Sequence, residues 1–287
     1  MKKLLINFLC FSLISNYLLK TKEVYALVPY YYLPTNKNLE RESKIFGQNA
    51  YQLLYFGKIK ESLNLAKLAI KINKFDYKLW LILSEAQIAN KLYEEALIAL
   101  NEAQKLNPNL SEIYFAKSNV YIKQSKFKEA KLAINSGLKI TPNNHNALFQ
   151  MGNIYLIEKD YSLAIKIFDK AINIKSDFWQ ATNNKGLAYF EQDEINLSIK
   201  FFKKAISIEE NAEPLLGLAA CLSNDDINQA LLLAKKALNK DPNYVEYNYR
   251  KEQLWGEKLQ TSTEKLLKND QLKKHTTLAK LKINKSS

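Results

Sequence analysis

The chain has 287 residues, 47% of them hydrophobic and 11% aromatic, which excludes a disordered chain because there is ample apolar material for a core. Lysine and arginine number 42 against 29 aspartates and glutamates, a net charge of +13; this raises nucleic acid and acidic membranes as partners without defining a specific role. The two cysteines, Cys10 and Cys221, exclude a disulfide framework, since removal of a leader containing Cys10 leaves one thiol with nothing to pair with.

The opening MKKLLINFLCFSLISNYLLKTKEVYA has two lysines, an apolar run from Leu4 to Leu19, and small or β-branched Val24 and Ala26 at the two key positions of a cleavage site. Residues 1–26 therefore read as an export signal, with the periplasm or a thylakoid lumen as destination. The apolar run is short of the roughly 20 residues a spanning helix needs, and Asn7, Ser12, Ser15 and Asn16 interrupt it. The rival reading is an uncleaved anchor through residues 4–19. Cys10 does not read as a lipid-attachment site, because Asn-Phe-Leu before it lacks the small residue such sites require. Residues 27–42 are expected to form an extended linker.

From Ser43 onward the sequence repeats. YEEALIALNEAQKLNP (93–108), FKEAKLAINSGLKITP (127–142) and YSLAIKIFDKAINIKS (161–176) superpose at a step of 34. Six units follow, 43–76, 77–110, 111–144, 145–178, 179–210 and 211–244, the last beginning two residues early. Unit position 20 reads Ser62, Ala96, Ala130, Ala164, Ser198, Ala230, and position 27 reads Ala69, Ala103, Gly137, Ala171, Ala205, Ala237. Position 8 reads Ala50, Ser84, Ser118, Gly152, Gly186, with Leu218 the exception. Side chains without bulk let two helices approach while larger neighbours interlock around them. Apolar residues recur at helical spacing, as in Tyr93, Ala96, Leu97, Leu100 and Ala103, which predicts two helices per unit. Asn107-Pro108, Thr141-Pro142 and Asp241-Pro242 punctuate unit ends, where proline disfavours continued helix.

These columns resemble tetratricopeptide repeats, a family with a 34-residue unit. Position 4 holds Phe46, Trp80, Tyr114 and Leu148; position 11 holds Tyr121, Tyr155 and Tyr189; position 24 holds Phe168 and Phe202; position 32 holds Pro108, Pro142 and Pro242. The resemblance implies an all-α fold, an α-α superhelix of about six helix-pair repeats in which each pair covers its neighbour's apolar face. Residues 245–268 are expected to form one capping helix, with Val245, Tyr249, Trp255 and Leu259 against the sixth unit. Residues 269–287 are expected to be a disordered basic tail; Lys273, Lys274, Lys280, Lys282 and Lys285 occur there without an acid after residue 270.

Nothing in the sequence assembles a catalytic centre. His145 and His275 stand far apart, and there is no Gly-rich phosphate loop, nucleophile elbow or HExxH. Cys221 stands among Leu218, Ala219, Ala220 and Leu222, company in which a free thiol is buried filler. The reading is of a non-enzyme without a cofactor or metal.

Function is then expected on the inner wall, which the resemblance assigns to positions 2, 5, 6, 9, 12 and 13 of the first helix of each unit. The candidate groove comprises Phe115, Asn119, Lys123, Phe149, Gln150, Asn153, Gln180, Asn183 and Asn184. Amides can donate to and accept from a peptide backbone at once, and phenylalanine offers an apolar surface. This implies a scaffold or assembly factor that binds a segment of another protein. Relatives that grip a C-terminal carboxylate use two amides and three cations; the matching positions here are Phe149, Asn153, Asn184, Ala212 and Leu216. Both amides match and every cation is missing, which argues against such a ligand. Leader, repeats and tail together resemble exported bacterial tetratricopeptide proteins, cyanobacterial ones among them. Membrane association through the leader and the basic ends is the alternative. Nucleic acid is not expected, since the inner wall carries no lysine or arginine stripe.

Overall fold

A computed structural model describes residues 35–286, so the expected leader at 1–26 and the first half of the expected linker lie outside the described residues. The chain divides into two units, 1–42 and 43–287, and the second carries the repeats. No strand occurs among the described residues.

Twelve helices form six antiparallel pairs: α1 (Asn36–Tyr55) with α2 (Ile59–Ile72), α3 (Tyr77–Ala89) with α4 (Tyr93–Leu106), α5 (Ser111–Lys123) with α6 (Phe127–Ile140), α7 (His145–Ile157) with α8 (Tyr161–Ile174), α9 (Trp179–Glu191) with α10 (Ile195–Ile208), and α11 (Ala212–Leu222) with α12 (Ile227–Lys240). The second helices start 34 residues apart until the last, which follows after 32. The shortening comes from a connection of three rather than four residues ahead of α11 and from α11 having eleven residues where α9 has thirteen, offset by a turn of four rather than three residues after it. Pro214 fits within the first turn of α11 because no intrahelical donor is needed there.

Every small residue named above at positions 20 and 27 is buried, as are those at position 8. Where position 20 is serine rather than alanine, its hydroxyl donates to the facing carbonyl of position 8: Ser62 to Ala50 at 2.7 Å and Ser198 to Gly186 at 2.9 Å. At Gly152 a Cβ would stand 2.4 Å from the ring of Phe168, the position 24 aromatic of the same unit. The ring fills the space a larger residue would need.

The turns within the pairs are as periodic as the columns. Gly57, Lys91, Ser125, Lys159 and Asp193, spaced 34 apart, all have positive φ. Each ends its helix with the same two bonds, for example Lys91 N–H to Ile88 and Leu92 N–H to the carbonyl of Gln87 at 2.8 Å. This left-handed C-cap satisfies orphan carbonyls and reverses the chain in three residues.

Outside the repeats, three expectations are corrected. The linker at 27–42 does not remain extended to its end: α1 begins at Asn36, where the Thr35 hydroxyl accepts the Asn38 N–H. The mostly polar run NKNLERES hides this start because Leu39 is its one apolar residue and the first buried positions are small or polar, Ser43 and Gly47. The cap at 245–268 is two helices rather than one, α13 (Tyr247–Glu252) and α14 (Glu257–Leu267), parted by Leu254 at φ +67° and an extended Gly256. The tail is not disordered: after a 3₁₀ turn at Asp270–Leu272 it forms α15 (Lys273–Ser286), anchored by fully buried Leu272 and by Ala279.

Candidate functional site

The first helices of the pairs, which the resemblance assigns to the inner wall, fall into two groups by burial. Only four of the thirteen residues of α5 are buried and six of those of α7, against ten of thirteen in α9 and all eleven in α11. The cause is α14, which packs on α9 and α11 instead of continuing the stack. The inner wall of the fifth and sixth units is thereby covered by the chain itself.

Directional contacts hold α14 there. The Glu191 carboxylate accepts the backbone N–H of Leu259 at 3.0 Å and of Lys258 at 3.3 Å. The indole N–H of Trp255 donates to Glu213 at 3.1 Å, and the Ser262 hydroxyl to the Ala220 carbonyl at 3.1 Å. Lys258 pairs with Asp193. A Cβ at Gly256 would lie 2.2 Å from the carboxyl carbon of Glu191, so a larger residue there would push the carboxylate away from the N–H groups it holds. Behind this layer Arg250 is fully buried and donates to Gln260 at 2.8 Å, to the Tyr244 carbonyl at 2.7 Å and to Glu264, which ties α13 to α14. Burial pushes the Glu213 carboxyl up to about 7, against hydrogen bonds from Trp255, Asn183 and Tyr244 that lower it.

The candidate groove residues divide accordingly. Asn183 and Asn184 are buried beneath the C-terminal segment, and Gln180 is half-buried. The Asn183 amide donates to Asn184 Oδ1 at 3.1 Å and Asn184 to Asn153 Oδ1 at 2.8 Å, an amide chain crossing from the fifth unit to the fourth. Phe115 and Phe149 are half-buried packing groups: Phe115 lies on Gly137, where a Cβ would be 2.4 Å away, and Phe149 packs on Phe168 and Phe178 at centroid separations of 5.9 and 5.1 Å. Each of these contacts lies within one unit, and both rings keep part of their surface exposed. Gln150 accepts from Ser118 at 3.3 Å, Asn119 is half-buried and Lys123 is exposed.

The first unit carries exposed aromatics outside the candidate groove named above. At positions 9 and 13 of the first unit, Tyr51 is 56% and Tyr55 85% exposed, and Tyr55 meets Phe56 edge to face at 5.5 Å. Their position numbers alone signalled the inner wall. Position 9 of the second unit is Glu85, which keeps water contact while its surroundings raise its carboxyl above the usual range. The Cys221 thiol is buried beside Ser198, and burial pushes it up to about 12, out of the reactive range. Among the described residues, no group of three or more His, Cys, Asp or Glu side chains converges to hold a metal ion.

Stacked helix pairs with small residues at each crossing define an α-solenoid, an architecture of the protein-interaction class. The tetratricopeptide repeat pattern matches residues 111–144, 145–178 and 180–211, and a second pattern of the same repeat matches 48–111. The chain belongs to the tetratricopeptide repeat family. Solved structures agree on the fold. PilF of Pseudomonas aeruginosa superposes with a TM-score of 0.63 at 14% identity, covering 75% of this chain and 98% of that one. PilW, described as a widely conserved type IV pilus biogenesis factor, gives 0.58 at 18% identity over 77% and 98%. MamA from Desulfovibrio magneticus RS-1 gives 0.53 at 19% identity over 58% and 95%. No curated protein matches the sequence.

Proposed function

We propose that the protein is a non-catalytic scaffold or assembly factor that binds a segment of a partner protein along the inner wall of its first four units. The observation that carries this reading is the contrast in burial between α5 and α7 on one side and α9 and α11 on the other. The open half offers Tyr51, Tyr55, Asn119, Lys123 and Gln150, a mixture of aromatic surface and amide or ammonium donors suited to a polypeptide backbone and its apolar side chains. Membership of an interaction family, and the likeness to a pilus biogenesis factor, support the same reading by analogy.

The test is position-specific. A photocrosslinking residue placed at Asn119 or Gln150 is expected to capture the same partner, while one at Leu132, exposed on the outer helix α6, captures none. Equal capture from both faces, or none from the inner positions, overturns the proposal.

Export to the periplasm or a thylakoid lumen belongs to this proposal and rests on the character of residues 1–26; N-terminal sequencing of the mature chain, expected to begin near residue 27, tests it. Membrane association is the second reading, favoured by α15, where Leu278 and Leu281 are exposed among Lys274, Lys280 and Lys282. Sedimentation with anionic vesicles that fades as salt rises would support it over the first.

A further inference from the structure

The layer formed by residues 246–267 differs from the repeat interfaces beneath it. Those interfaces are close-packed apolar columns, with Phe168 and Phe202 seated on glycines. The segment shares in that apolar packing through Trp255, Leu259, Leu266 and Leu267, and it is held in addition by acids of the wall reaching its backbone and indole: Glu191 to Lys258 and Leu259, Glu213 to Trp255, Asp193 to Lys258. Its fit is incomplete on both sides. Asn183 Oδ1 on the wall and Thr263 Oγ1 on the segment are sealed from water without a partner, and such atoms keep the full penalty of lost hydration. A shallow cleft lined by Asp193, Asn224, Glu257, Lys258, Thr261 and Ser262 lets solvent run along the seam.

We propose that the inner wall of the fifth and sixth units is a polypeptide-binding site, and that residues 246–267 are its displaceable intramolecular ligand. The inference rests on reading the inner wall as a polypeptide-binding surface. The present occupant defines the chemistry of an external one: a segment with a tryptophan whose indole N–H reaches Glu213, followed through a glycine by a helix start whose free N–H groups meet Glu191. The unpartnered oxygen of Asn183 offers such a ligand one more acceptor. A partner bound to the open half can gain the covered half by exchange with the segment, so occupancy of the second site depends on the fraction of chains in which the segment has lifted.

The experiment uses the full chain and a fluorescently labelled synthetic peptide of residues 245–268. In Trp255→Ala the segment is loosened while the wall is unchanged, so the peptide is expected to bind at least about tenfold more tightly than to the wild type, in proportion to the larger open fraction. Adding Glu213→Ala in that background is expected to abolish the gain. A Trp255→Ala chain with native helical content that takes up the peptide no better than wild type overturns the proposal. If that variant does not fold, hydrogen exchange on the wild type decides: amides of 247–267 are expected to exchange at least about tenfold faster than those of α9 and α11. Equal protection would make the segment a fixed wall and end the inference. Because the probe is the chain's own segment, the outcome does not depend on whether a foreign protein binds the first four units.

Discussion

Glu191, the last residue of α9, caps a helix that begins 66 residues later: its carboxylate accepts the N–H groups of Lys258 and Leu259, the second and third residues of α14. Free N–H groups at a helix start need an acceptor, and Gly256 ahead of them supplies none from a side chain. Glu191→Ala leaves these donors unpaired beneath a buried surface, and a loss of about 1–3 kcal/mol is expected. Thermal or denaturant melts followed by circular dichroism measure it. A variant indistinguishable from wild type would show that water caps the helix as well as the carboxylate does.

Gly152→Ala sets a Cβ 2.4 Å from the ring of Phe168. Overpacking of this kind costs about 1–3 kcal/mol. Phe168→Leu alone loses packing, yet in the double variant the two changes are expected to compensate partly, so that the combined loss is smaller than the sum. A strictly additive cycle would separate the glycine from the ring.

The repeated left-handed turn gives a matched pair of opposite effects. Gly57 at φ +71° has open space around it, so Gly57→Ala meets no clash and loses about 1 kcal/mol for conformational reasons alone. Ser125 occupies the corresponding turn two units on at φ +57°, and Ser125→Gly is expected to gain up to about 1 kcal/mol, reduced by the greater freedom of glycine in the unfolded chain. Denaturation midpoints of the two variants should move in opposite directions.

Glu213 makes stability depend on pH. With its carboxyl pushed up to about 7 from an ordinary 4.5, the folded chain keeps a proton that the unfolded chain releases between those values. Stability contributed by this group therefore falls as pH rises from about 4.5 to 7 and levels above that, by at most about 3 kcal/mol. Glu213→Gln is expected to flatten this slope and to exceed the wild type at pH 8. Glu85 shifts in the same direction but is common to both proteins. Melts at pH 5, 6, 7 and 8 give the comparison, and parallel curves would remove the charge from the account.

The repeat architecture was legible because it is written locally. Ala96 and Ala103 mark the close crossings of α4, and each column recurs after 34 residues, so that the periodic small positions stand out against any one unit's noise. The candidate groove was legible only as an address. Asn119, Gln150, Phe115 and Phe149 are all half-buried and Lys123 is exposed, while the contacts of Phe115 above Gly137 and of Phe149 with Phe168 and Phe178 could not be read from their position numbers. Asn183 and Asn184 looked like ligand-facing amides and are sealed by a segment lying far along the chain.

From its letters alone this protein is an all-α stack of tetratricopeptide units, because helix periodicity and the spacing of small residues act between near neighbours in the chain. Only the folded arrangement decided which half of the inner wall stays open. That choice rests on contacts such as Trp255 with Glu213, 42 positions apart, and Leu259 with Glu191, 68 apart. Neither partner of such a pair carries a mark of the other in sequence, since an acid and an indole gain their meaning only when the backbone brings them within reach and excludes water around them.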